Sequence, residues 1–85
     1  MTREDVLKTV KEIISDTLVI IPEDINEDSN IVDDLNADDL DSVEIVIGVE
    51  EHYGIQISED DAQSFTTVGK IVDYLMKRMF PDSAT

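Results

Sequence analysis

The sequence predicts an all-α fold: a four-helix bundle of three longer helices and one short one, with a long loop between helices 1 and 2. Three observations carry this expectation. Apolar residues recur at spacings of three and four in three separate stretches. No segment alternates apolar and polar residues as a half-buried strand would. Thr, Asp, Ser, Gly and Pro stand where helices need to start and stop.

The first helix is expected from about Arg3 to Leu18. Thr2 and Asp5 form a capping-box pattern, with Asp in place of the usual Glu or Gln, and Val6, Leu7, Val10, Ile13, Ile14 and Leu18 make one apolar face. Val19, Ile20 and Ile21 prolong the apolar run. Pro22 follows at once and no partner strand is available, so the helix should end in an extended linker. Pro22 to Asn36 is then a long polar connection, with Ile25, Ile31, Val32 and Leu35 expected to pin it to the core. Its Asn26, Asp28 and Asn30 imitate the start of a calcium loop. Ile31 stands where the turn needs glycine and Ala37 where a bidentate glutamate belongs, so no specific metal site is expected.

The second helix opens at Asp38, a good N-cap, with Asp39 and Asp41 in the first turn where carboxylates favour the positive end of the helix dipole. At about 100° per residue, Ile45, Val46, Val49 and Tyr53 fall on one side. Leu40, Val43 and Ile47 fall on roughly the other, with Glu44 and Glu51 beside them and Glu50 at the edge. One stripe suffices to seat a helix on its own domain. The second is either covered by the rest of a small bundle or left open as a docking surface for a basic partner with an apolar pocket.

Gly54 supplies the stop, and Ile55 and Ile57 anchor a short connector. Ser58 with Asp61 is a weak capping box over Glu59 to Ser64, long enough for one or two turns, and Phe65 should plug this piece onto the core. Thr66 or Thr67 caps the last helix, whose buried stripe is Val68, Ile71, Val72, Leu75, Met76 and Met79. Lys77 and Arg78 suit its negative end, Pro81 stops it, and Asp82 to Thr85 should be a disordered tail.

Eighty-five residues fit one small domain. Twenty-one acidic residues against six basic ones give a formal charge of −15, which argues against nucleic acid or anionic membrane and for cationic partners. Without cysteine there are no disulfides, thiolate metal sites or cysteine nucleophiles. No stretch approaches the roughly 18 apolar residues of a membrane span. The acidic N-terminus is unlike a signal peptide, so a soluble monomer in the cytoplasm is the default, with a processed organellar protein the alternative. His52 is the lone histidine and there is no glycine-rich phosphate loop, so an enzyme is not expected.

The run DLNADDLDSVEIV, from Asp34 to Val46, resembles the central motif of acyl carrier proteins, in which a DLGADSLDxVE core opens the second helix. The likeness continues through EEHYGIQI and the TTV of the last helix, covering nearly the whole chain. It implies a carrier that presents thioester-bound acyl intermediates of fatty acid or polyketide-type biosynthesis on a 4′-phosphopantetheine arm. Implied partners are the basic surfaces of chain-building enzymes and of a phosphopantetheinyl transferase. Asp38, Leu40, Asp41, Val43, Glu44, Ile47, Glu50 and Glu51 would meet them, and Phe65 would line one side of the cavity that shelters the acyl chain.

Two positions depart from the pattern. Asn36 replaces the usual glycine, and Asp39 stands where the family has the serine that bears the arm. Fourteen positions separate Asp39 from Tyr53 and twenty-nine separate it from Val68, the family's own spacing. An aspartate has no hydroxyl to accept the arm, so none is expected on this chain. Three accounts are open: a serine replaced in an otherwise working carrier, giving a uniform unmodified protein; a degenerate carrier acting as a non-covalent acidic interaction module; or attachment at Ser42. Sliding the motif to Ser42 breaks every other match and directs the arm toward the core stripe.

Overall fold

The computed structural model describes residues 2–80. The roles expected of Pro81 and of 82–85 lie outside them. Within that span the elements are α1 (Arg3–Leu18), a 3-10 turn (Pro22–Asp24), α2 (Asp39–Tyr53), α3 (Glu59–Ala62) and α4 (Val68–Met79). The described residues contain no strand, only an isolated antiparallel bridge between Asn30 and Thr67.

α1 starts on the expected capping box. The Thr2 hydroxyl accepts the Asp5 amide, while the Thr2 amide and hydroxyl both donate to the Asp5 carboxylate. These bonds, the backbone one foremost, hold the Asp5 carboxyl below its ordinary range. Val6, Val10 and Ile14 are buried, with Leu7, Ile13 and Leu18 packed against the core beside them. The helix ends at Val19, whose left-handed backbone (φ 57°) lets its amide and that of Ile20 reach the Ser15 carbonyl.

α1 is also the hub. It packs on α2, on α4 and on the 3-10 turn, so the core runs through α1 although the sequence motif from Asp34 to Val46 lies in and before α2. Where α1 and α2 meet, a Cβ added at Gly48 would lie 2.8 Å from Ile13 Cγ2, which makes glycine the residue that permits this approach.

Three of the four expected loop pins hold: Ile25 and Ile31 are buried and Leu35 packs on the core, whereas Val32 is 56% exposed. The cause is a local turn. The Asn30 side-chain carbonyl accepts the amides of Val32 and Asp33, the Asn30 amide donates to Asp34, and the Asn30 backbone carbonyl takes the amides of Asp34 and Leu35. This one turn of helix-like chain puts Ile31 and Leu35, four apart, on the inner face and rotates Val32 outward.

The loop is moored to the start of α4. Thr67, not Thr66, caps that helix through its hydroxyl, and the carbonyls of Ser29 and Glu27 accept the first amides, from Val68 (3.2 Å) and Gly69 (2.8 Å). Ile31 N–H in turn donates to the Thr66 carbonyl (3.0 Å). α4 buries Val68, Ile71, Val72, Leu75 and Met76, with Met79 half-buried at its end. Arg3, at the start of α1, bridges Glu27 in the loop and Asp73 on α4, and both partners hold its guanidinium pKa above the ordinary value, Glu27 more strongly.

Candidate functional site

α2 divides its apolar residues as the rotation per residue requires. Ile45 and Val49 are buried, Tyr53 packs on the core and Val46 is half-buried. Leu40, Val43 and Ile47 are 66%, 54% and 43% exposed. Of the two arrangements the sequence allowed, the described residues adopt the one that leaves the second stripe open.

The carboxylates around that stripe are not equivalent. Asp38 Oδ1 accepts the Asp41 amide (2.8 Å) and Asp41 Oδ2 accepts the Asp38 amide (3.2 Å), so both are built into a reciprocal cap at the head of α2. Glu50 is half-buried and accepts the Ile57 amide (2.7 Å), which ties the α2–α3 connector back onto the helix. Asp39, Glu44 and Glu51 are exposed. Asp39 is the first residue of α2, and its carboxylate takes no hydrogen bond from the described residues.

Beside this stripe lies a cleft of about 610 Å³, walled by the loop, by α2, by the α3 segment and by Ile71 of α4. Ile31, Val43, Val46, Ala62, Phe65 and Ile71 supply its apolar lining, and Asn30, Ser42, Gln63 and Thr66 are among its polar residues. Phe65 is part of that lining. Val32 also lines it, opposite the role of core pin the sequence suggested. Gln63 gave no sequence signal and Asn30 only that of an imitated calcium loop, because their part in the lining follows from a turn and from a chain fold some thirty residues apart.

Residues 8–75 match the family model described as a phosphopantetheine attachment site. The chain is 46% identical over 69 residues to the acyl carrier protein of Chlamydia trachomatis serovar D, covering 81% of this chain and 90% of that one. The chain belongs to the acyl carrier protein family. An acyl carrier protein from Thermotoga maritima is 36% identical over 78 residues (92% of this chain, 96% of that one), and one from Thermosynechococcus vestitus is 34% identical over 79 residues (93% and 98%).

Acyl carrier proteins serve acyl biosynthesis as carriers, not catalysts, and work with the biosynthetic enzymes they visit; the family's prosthetic group is 4′-phosphopantetheine. Its attachment needs a hydroxyl. In the first turns of α2 the only hydroxyl is that of Ser42, half-buried on the cleft wall, whereas the exposed start of the helix offers a carboxylate. The residues present at that exposed start therefore do not fit a covalently bound arm. No helix among the described residues is long and apolar enough to cross a membrane, and none of their His, Asp and Glu side chains form a group of three able to hold a metal ion.

Proposed function

We propose that this chain is a single-domain, monomeric acyl carrier protein of fatty acid or related polyketide-type biosynthesis in which Asp39 occupies the attachment position, so that the protein is locked without its arm. Leu40, Val43 and Ile47 make a brief apolar contact with visiting enzymes, the phosphopantetheinyl transferase among them. Asp38, Asp41, Glu44, Glu50 and Glu51 steer their basic surfaces. The observation that supports this reading is the open stripe of α2 at 43–66% exposure, ringed by carboxylates and beginning beside an exposed Asp39. The charge of −15 favours basic partners over nucleic acid or anionic membrane and suits a protein that works in the cytoplasm. Exposed ion pairs, worth about 0–1 kcal/mol each, speed encounter while permitting fast release.

Intact mass after incubation with coenzyme A and a broadly acting phosphopantetheinyl transferase tests the proposal. The chain as it stands should gain nothing, and Asp39→Ser should gain the mass of one arm. A restored serine that stays bare would favour the non-covalent interaction module. A gain on the unaltered chain that vanishes with Ser42→Ala would move the site to Ser42.

A further inference from the structure

α3 is four residues long and buries none of its side chains, far below the length at which a helix holds itself together in water. Links to the rest of the molecule must therefore fix it. Ser58 Oγ accepts the Asp61 amide (3.1 Å), but the reciprocal half of the expected capping box is missing. The Asp61 carboxylate is engaged elsewhere: it accepts the Tyr74 hydroxyl proton (3.0 Å) from α4. That hydroxyl in turn accepts an N–H from Arg78 (2.6 Å), and the same guanidinium nitrogen donates to the Gln56 carbonyl in the connector leading into α3.

One pair of α4 side chains thus grips α3 from within and from the segment just before it. The Tyr74 ring also meets Phe65 edge to face, with centroids 5.1 Å apart, and the Arg78 guanidinium lies 5.8 Å from the Tyr74 ring centre. Phe65 and Ala62 line the cleft. Tyr74 does not line it, yet it touches the residue that does.

We propose that Tyr74, Arg78 and Asp61 form a latch on the α3 wall, and that Tyr74 is a positioning residue which sets how large a guest the cleft admits. The latch stands on these contacts alone; that the guest is an acyl chain rests on the function proposed above. Its links are exposed and individually weak, and α3 itself is held otherwise only through its flanks, by the Glu50–Ile57 bond before it and by Phe65 on the core after it, so losing one should show locally. The helix contacts of α1 with α2 and α4 do not pass through it.

Amide hydrogen exchange on the full chain is the test. The amides of Ala62, Gln63, Ser64 and Phe65 donate to the carbonyls of Ser58, Glu59, Asp61 and Ala62, so they report opening of this segment. Tyr74→Phe keeps the ring and removes the hydroxyl. It should speed exchange at these four amides by about threefold to tenfold, the factor a hydrogen bond of ordinary net worth gives, with the Val10 and Ile14 amides of α1 unchanged. Asp61→Ala should do the same, and the double variant should add nothing further.

Unchanged exchange at 62–65, or an equal rise at Val10 and Ile14, would overturn the latch. The neutral probe N-phenyl-1-naphthylamine should bind Tyr74→Phe more tightly than the parent, and Ala62→Trp, which fills the cleft, should abolish binding. A faster α3 with unaltered probe affinity would overturn the control of capacity while leaving the latch. Failure of Asp39→Ser to load would bear on the carrier reading and on neither of these.

Discussion

Three described residues occupy the left-handed backbone region, and each got there differently. Gly54 (φ 65°) is the helix stop the sequence announces. Asn36 (φ 61°) shows why a glycine of the family pattern can be replaced there, since a short amide side chain is among the few that tolerate this conformation. Val19 (φ 57°) is the surprise, a β-branched residue at 88% exposure. Nothing in an apolar run of Val19, Ile20 and Ile21 signals that its first member leaves the helix strained and uncovered. For an L-residue this region costs roughly 1–2 kcal/mol, against about 0.5–1 kcal/mol of added chain entropy for glycine. Val19→Gly should therefore raise stability by about 0.5–1 kcal/mol, read as a melting temperature higher by about 2–6 °C. A lower melting temperature would show that Val19 does something its exposure conceals.

Among elements, the long helices were legible because their punctuation is chemical. Thr2 with Asp5, and Asp38 ahead of a periodic run closed by Gly54, set α1 and α2 at the bounds observed. The α2 faces were legible too, since rotation per residue separates Ile45 and Val49 from Leu40, Val43 and Ile47. What stayed hidden depends on partners distant in sequence or on turns without periodicity. Val32 points out because Asn30 caps a turn. Asp61 leaves its own cap because Tyr74, thirteen residues on, takes its carboxylate. Gly48 carries no signal of its own in the sequence, yet it marks the α1–α2 contact. Gly48→Ala gains about 1 kcal/mol of helix propensity but forces a methyl group to within 2.8 Å of Ile13 Cγ2, an overpacking that costs about 1–3 kcal/mol. The net should be a loss of up to about 2 kcal/mol in urea denaturation. If Ile13→Ala, which removes Cγ2, costs less in Gly48→Ala than in the parent, the clash is the cause.

At the scale of the molecule, the charge of −15 and the Arg3 clasp pull in opposite directions. Salt screens both. The clasp consists of two partly exposed ion pairs worth about 0–1 kcal/mol each, whereas repulsion is summed over the whole surface. Added salt or divalent cation should therefore raise the melting temperature, and a flat salt dependence would show that the carboxylates are spaced too widely to repel. Overall charge was readable from composition, but the clasp was not, because it joins residues 3, 27 and 73.

The mooring of the loop to α4 has a consequence for synthesis. Glu27 and Ser29 find their amide donors at Gly69 and Val68, so the segment between α1 and α2, which Arg3 and the packing of the 3-10 turn on α1 already hold, gains these ties only once residues 66–69 have been made. An unfinished copy that stops before residue 66 has the residues of the α1–α2 contact but lacks the backbone partners at 66, 68 and 69 that moor the loop leading into α2.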